Sequence, residues 1–183
     1  DAPAADTTVA EGTFPRETSP DGTMAGYFSD SSFAFHGFVR SPKGDITIFD
    51  VDGAGTSHQG TRATDINRKR VVSGTYIDAQ YSDHAFIRTP DGLVTHVDIH
   101  GAGTGDHQGT NASGMNTKGT LVGTFVTEDG ISHGFVRSPS GNITKFDPPN
   151  SVDTSVAGID DNGVVVGTYR DANLVYHGFL RIP

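Results

Sequence analysis

The sequence predicts an all-β protein, a four-bladed β-propeller with four antiparallel strands in each blade. One observation is a repeat of fixed spacing, and the other is a series of short alternating apolar runs separated by turn residues. The motif His-Gly/Ala-Phe-aliphatic-Arg occurs four times, at 36–40, 84–88, 133–137 and 177–181. A Gly stands ten residues before each His, and a Thr stands thirteen residues before each Gly. These residues are Gly26, Gly74, Gly123 and Gly167, with Thr13, Thr61, Thr110 and Thr154.

Each copy contains the elements of one blade. A first strand runs from the Thr to a turn, a second carries the Gly, and a third is the His motif. A Pro-x-Gly turn then leads to a fourth strand, as at Pro42-Lys43-Gly44 before 46–50. Four short strands in such a unit are typical of a propeller blade. An open β-solenoid is the alternative, although its coils are usually shorter and need caps.

The predicted domain covers residues 1–183, with blades at 13–60, 61–109, 110–153, and 154–183 plus 1–12. The last copy ends at Ile182-Pro183, where its turn is expected, and it lacks a fourth strand. The N-terminal segment is predicted to supply that strand and to close the ring. Asp6 supports this prediction, because it precedes Thr13 by seven residues as Asp147 precedes Thr154.

Composition limits the partners. The net charge of −9 disfavours nucleic acids and anionic membranes, and no apolar run is long enough to span a bilayer. The expected partner is therefore a small molecule or a glycan, and the chain is expected to be a monomer. The small polar residues 1–6 resemble an end left by removal of a signal peptide, which predicts a secreted, periplasmic or cell-surface protein.

A family resemblance agrees with the prediction that the protein is secreted or lies at the cell surface. The run at 159–169, Ile-Asp-Asp-Asn-Gly-Val-Val-Val-Gly-Thr-Tyr, is followed by His-Gly-Phe-Leu at 177–180. Both segments resemble the bacterial extracellular HAF/HGF-type repeats, and the likeness extends over nearly the whole chain from Thr13. The resemblance implies a secreted or cell-surface protein with a propeller-like fold. It implies no activity.

The four repeat histidines are expected to begin their third strands on one face of the ring. They are His36, His84, His133 and His177. Imidazole binds several divalent metals, so one interpretation is a metal ion on the axis. A structural role is preferred, in which each His bonds the backbone or a carboxylate of its own blade. By the same reasoning Arg40, Arg88 and Arg137 are expected to pair across strands with Asp50, Asp98 and Asp147.

The copies differ in their connections, and function is predicted where they differ. The connections at 53–60 and 101–109 are near twins that add His58 and His107, while the third connection is four to five residues shorter. Together with Asp52, His100 and Asp106, these histidines form a candidate catalytic or ligand-binding cluster, by acid–base or metal chemistry. The alternative is that the similar loops reflect a recent duplication.

Aromatic residues precede the repeat histidines. Phe35, Tyr81 and Tyr176 are candidates to line a sugar-sized pocket, whereas Tyr27, Tyr76, Phe125 and Tyr169 are predicted to pack in the core. The predicted function is binding of a neutral ligand, a glycan or small molecule, on the loop face around the axial mouth. The alternative is a secreted hydrolase or lyase that uses His58 and His107 at the same mouth. A purely structural surface protein is a third class.

Overall fold

The structure is a computed structural model that describes residues 2–3 and 12–183. The described residues form fifteen β-strands, which confirms the all-β class. The first repeat contains β1 (Gly12–Thr18), β2 (Met24–Ser29), β3 (Phe35–Arg40) and β4 (Ile46–Phe49). The second contains β5 (Gly60–Ile66), β6 (Val72–Ile77), β7 (Asp83–Arg88) and β8 (Val94–Val97). The third contains β9 (Gly109–Met115), β10 (Leu121–Val126), β11 (Ser132–Arg137) and β12 (Ile143–Phe146), and the fourth contains β13 (Ser151–Ile159), β14 (Val165–Asp171) and β15 (Tyr176–Arg181).

The arrangement of the strands shows that the propeller prediction is wrong. Strands β1 to β12 form one open mixed sheet, and β13 to β15 form a separate three-stranded sheet. Strands within a repeat are antiparallel, and single parallel residue pairs, Phe35 with Gly60 and Asp83 with Gly109, join the first three repeats. Constant spacing predicts the path of the chain within each repeat. It does not determine the angle between neighbouring repeats, on which ring closure depends.

The predicted closure by the N-terminal segment is also wrong. The Ala2 N–H donates to the Thr13 hydroxyl at 2.9 Å, and Ala2 packs with Phe28 and Phe38. Ala2 therefore lies on the first repeat and not beside β15. Asp6, on which that prediction depended, falls outside the described residues.

The invariant Thr and Gly both connect parts of a repeat. The hydroxyls of Thr61 and Thr110 accept the backbone N–H groups of Val51 and Ile99, at 2.9 and 3.0 Å. These bonds fix the chain that enters each new repeat. At Gly123 a Cβ atom would lie 1.9 Å from the Asn111 carbonyl oxygen, because the first strand is bulged there. Only glycine allows the two strands to approach this closely.

The core lies between successive repeats. Alternate residues of a second strand point toward the preceding or the following repeat, and we call these two sides the back face and the forward face. Ala25, on the forward face of the first repeat, packs with Val72, Tyr76 and Phe86 on the back face of the second. The third junction repeats this arrangement, with Val122 of repeat 3 against Val165 of repeat 4. The core of each junction thus consists of the forward face of one repeat and the back face of the next.

The described residues contain no helix long and apolar enough to cross a membrane.

We expect Gly123→Ala to lower the free energy of unfolding by about 1–3 kcal/mol, because the added methyl group overpacks the β9–β10 contact. Gly178→Ala is the control, since nothing lies within 4 Å of a Cβ at that position. Denaturant unfolding of both variants measures the difference. Equal stabilities would show that close approach is not the reason for the invariant glycine.

Candidate functional site

The repeat histidines lie in four similar local settings. The Nδ1 atom of His84 bonds Asp98 at 2.8 Å, and its ring stacks on Tyr76 with centroids 4.8 Å apart. His36 and His133 bond Asp50 and Asp147 in the same way, at 2.9 and 2.7 Å. The other stacking partners are Phe28, Phe125 and Tyr169. Phe28, and not Tyr27, is thus the aromatic residue of the first repeat that matches Tyr76.

A carboxylate at the end of the second strand or in the turn after it approaches the Nε2 atom of three of these rings, as a second carboxylate at His36 and His84 and, in the described part of the chain, as the only one at His177. The Nε2 atom lies 3.3 Å from Asp30 in His36 and 3.3 Å from Asp78 in His84, and 3.1 Å from Asp171 in His177. A ring that donates to two carboxylates must carry both protons. The hydrogen bond to Asp98 raises the pKa of His84, against the opposing effect of desolvation. These contacts give the repeat histidines partners within their own repeats.

The arginines of the motif lie elsewhere than predicted. Arg40 faces Ile46 across the strand pair, which places it at the opposite end of the pair from Asp50. The Arg88 guanidinium instead lies over the Phe49 ring of the preceding repeat, 4.6 Å from its centroid. The expected cross-strand Arg–Asp pairing is therefore wrong.

A metal site on the axis finds no support in the described part of the chain, where no three His, Asp or Glu side chains gather as ligands. The same finding applies to the candidate cluster of the twin loops.

Each twin loop folds back on the turn that precedes the third strand of its own repeat. The His58 ring stacks on Phe33, with centroids 4.9 Å apart and the planes at 10°. The His107 N–H donates to the Tyr81 carbonyl oxygen at 3.0 Å. The two histidines thus contact the turns of two different repeats. Both have a left-handed backbone, with φ values of 58° and 57°.

The other candidates of that cluster lie at the surface. Asp106 is beside His107, with 3.6 Å between carboxylate and ring, and both side chains are at least 70 % exposed. Asp52 and His100 are exposed, and the His100 carbonyl oxygen accepts a bond from the Lys145 ammonium group. The structure brings together Asp106 and His107 but does not assemble all five residues into one site.

The junction between repeats 3 and 4 has the short connection and a different geometry. Asp153 stands where Gly60 and Gly109 form the parallel pairs of the other junctions. A pocket opens there, which we call the junction pocket. Its lining is rich in hydroxyl groups and comprises Thr124, Ser132, Asp153, Thr154, Ser155, Thr168, Tyr169, Arg170 and Tyr176.

Asp153 organises the polar side of the junction pocket. One carboxylate oxygen accepts the Ser132 N–H at 3.1 Å, and the other pairs with the Arg170 guanidinium. That hydrogen bond raises the pKa of Arg170. The guanidinium carbon lies 5.9 Å from the centroid of the Tyr176 ring, whose residue is 70 % exposed. A carboxylate, a guanidinium and an open aromatic ring thus lie side by side.

The positions that match Tyr176 in the first two repeats are covered by residues of the following repeat. Phe35 matches Tyr176, and the Arg62 guanidinium lies 4.0 Å from its ring centroid. Asp83 matches it in the second repeat and accepts a bond from the Asn111 amide at 3.0 Å. Burial raises the pKa of Asp83. Of the three predicted aromatic residues, Phe35 is covered, Tyr81 lies in a turn, and Tyr176 lines the pocket.

Asp153, Arg170 and Ser132 are not among the site residues predicted from the sequence. The signal that could have found them is Asp153, an acidic residue at the position that is glycine in the other repeats. Neither a known protein family nor a curated protein matches this chain. The assignment of function therefore depends on the geometry of the site.

We expect His84→Gln to lower the free energy of unfolding more at about pH 5.5 than at about pH 9. A raised pKa means that protonated His84 contributes stability that is complete below its unfolded pKa near 6.5 and is lost as the pH rises through the folded pKa. Denaturant unfolding at both pH values measures this, with His58→Gln as the control because His58 stacks on Phe33. The same loss at both pH values would contradict a stabilising imidazolium.

Proposed function

We propose that the protein binds a neutral carbohydrate in the junction pocket. The observation that carries this proposal is the exposed ring of Tyr176 beside a lining of hydroxyl groups and the Asp153–Arg170 pair. The apolar C–H face of a sugar packs on an aromatic ring, and its hydroxyls need both donors and acceptors. The pocket provides all of these groups within one small space.

Each group has a separate role in the proposal. Tyr176 is the platform for one sugar ring. Arg170 donates hydrogen bonds and Asp153 accepts them, and their mutual contact holds both side chains in place before the ligand arrives. Ser155 and Thr168, which face each other across β13 and β14, add hydroxyls that can donate or accept.

Electrostatics favour a neutral ligand over an anionic one. The chain carries a net charge of −9, and the one guanidinium of the junction pocket is already paired with a carboxylate. An anion would meet repulsion from the whole molecule without an unpaired cation in the pocket to offset it. A sugar bearing only hydroxyls avoids this cost.

We expect Tyr176→Ala to weaken binding of neutral oligosaccharides at least about tenfold, because the platform is removed. A glycan panel followed by titration calorimetry on the best ligand measures the affinity. Tyr81→Ala is the matched control, since Tyr81 is also partly exposed but lies in a turn of the second repeat. Unchanged affinity of Tyr176→Ala, or an equal loss in both variants, would contradict the proposal.

The twin loops offer a separate test. If the junction pocket is the site, the double variant His58→Ala/His107→Ala retains the affinity of the unchanged chain, because the His58 ring stacks on Phe33 and the His107 side chain is exposed beside Asp106. Titration of the same oligosaccharide measures it. Loss of binding with an unchanged melting curve would instead move the site to the twin loops, as the hydrolase or lyase alternative requires.

A further inference from the structure

The repeat histidines differ at the Nε2 atom of the ring. In His36, His84 and His177 this atom bonds an aspartate at the end of the second strand or in the turn after it, at 3.1–3.3 Å. That aspartate stands six residues before the histidine, and the third repeat has Thr127 at this position. The Thr127 hydroxyl bonds groups of its own turn. Among residues 2–3 and 12–183, no group bonds Nε2 of His133.

The surroundings of Nδ1 determine what Nε2 of His133 can do. Nδ1 lies 2.7 Å from one Asp147 carboxylate oxygen, and the other oxygen accepts the Thr154 hydroxyl at 2.6 Å. An ionised carboxylate only accepts hydrogen bonds, so Nδ1 carries the ring proton and Nε2 of the neutral ring carries a lone pair. The ring also stacks on Phe125, with centroids 5.2 Å apart. His133 is therefore held in place as a hydrogen-bond acceptor, whereas Nε2 is a donor in the other three repeat histidines.

His133 lines a surface hollow beside the junction pocket, and we call it the His133 hollow. Its polar lining comes from Ser132, Asp147, Ser151 and Asp153, and its apolar lining from Ile131 and Val152. Ser132 and Asp153 line the junction pocket as well, so the two spaces adjoin. The free acceptor of the third repeat thus lies next to the proposed carbohydrate site.

We infer that the carbohydrate of the junction pocket extends into the His133 hollow, where a sugar hydroxyl donates a hydrogen bond to Nε2 of His133. The inference rests on the proposed function and adds the size of the ligand. One sugar unit packs on Tyr176 and a second reaches His133, so the ligand is an oligosaccharide. A hydroxyl supplies the donor that a fixed lone pair needs. Ile131 and Val152, which are 38 and 42 % exposed, offer apolar surface to the C–H groups of the same sugar unit.

The charges around the His133 hollow favour a neutral sugar unit. The carboxylates of Asp147 and Asp153 belong to its lining. Asp129 lies in the adjacent turn, and the hydrogen bond from the Thr127 hydroxyl lowers the pKa of its carboxyl group. A sugar that carries a carboxylate or a sulfate would meet repulsion from these three groups, which a sugar bearing only hydroxyls avoids.

The substitution Thr127→Asp tests the inference, because it supplies the aspartate that the other repeats have. The turn can accept this change, since the backbone bond from Thr127 to Ile131 matches that from Asp78 to Ser82, both at 3.0 Å. We expect the affinity for a neutral trisaccharide to fall about three- to tenfold, because Nε2 then donates to the new carboxylate and one hydrogen bond to the sugar is lost. The affinity for a monosaccharide, which needs only the Tyr176 platform, should not change. Titration calorimetry with monosaccharides and trisaccharides of glucose, mannose, galactose and xylose measures both.

Ser32→Asp is the matched control, since it adds the same charge to an exposed turn of the first repeat. Unchanged trisaccharide affinity of Thr127→Asp, or equal losses in both variants, would overturn the inference. So would equal affinities of the unchanged chain for the two sizes of sugar. If Tyr176→Ala still weakens binding in these titrations, the proposed carbohydrate site stands without the extension. If none of the sugars binds, the proposed function fails together with the inference.

A measurement without sugar tests the state of the ring. Nitrogen NMR spectra show which ring nitrogens carry a proton, and at about pH 9 an imidazole is ordinarily neutral. We expect the proton of His133 on Nδ1 and none on Nε2. A proton on Nε2 would overturn the inference and would leave the proposed carbohydrate site untouched.

Discussion

Contact between the forward face of one repeat and the back face of the next is the interaction on which the rest of the structure depends. A single four-stranded meander has two faces and cannot bury either one alone. At the first junction Phe49 meets Phe86 edge to face, at 6.0 Å, and at the third Phe146 meets Phe179 at 5.8 Å. The Phe of the His motif recurs because the second, third and fourth copies insert this ring into the core shared with the preceding repeat, while Phe38 of the first copy packs with Ala2.

The repeat histidines hold the strands together within each repeat. The carboxylate after the outer strand, such as Asp98, bonds a histidine at the start of the third strand, and an aromatic residue of the second strand supports the ring. Three strands are thereby linked at one end of the repeat. Among the described residues the fourth repeat has no outer strand, and His177 there bonds Asp171 at the end of β14. A site that recurs with such similar partners has the character of a structural element.

The sequence was sufficient to predict the elements within a repeat, and insufficient for relations between repeats. Glycine, Pro-x-Gly turns and alternating apolar residues act over a few residues, so the predicted fourth strand at 46–50 differs from β4 by one residue. Ring closure and the position of Ala2 depend on the angles between neighbouring repeats. Many contacts together determine these angles, and no local sequence pattern predicts them. The Arg–Asp prediction was wrong for a related reason. Spacing along the chain predicted that Arg40 lies near Asp50, whereas in the observed strand register Arg40 lies opposite Ile46.

The candidate site shows the same limit. Tyr176 was identified from its place before a repeat histidine, but so were Phe35 and Tyr81, and only the structure separates the three. What distinguishes Tyr176 is its exposed ring, because in the described structure no other repeat covers it, whereas Arg62 of the second repeat covers Phe35 of the first.

The three charged and aromatic groups of the proposed site come from three neighbouring strands. Asp153 lies on β13, Arg170 on β14 and Tyr176 on β15, and Arg170 faces Tyr176 directly across the strand pair. The ion pair between Asp153 and Arg170 links the first two of these strands through their side chains. Because backbone pairing fixes the distances between the strands, the three groups hold their relative positions before a ligand binds.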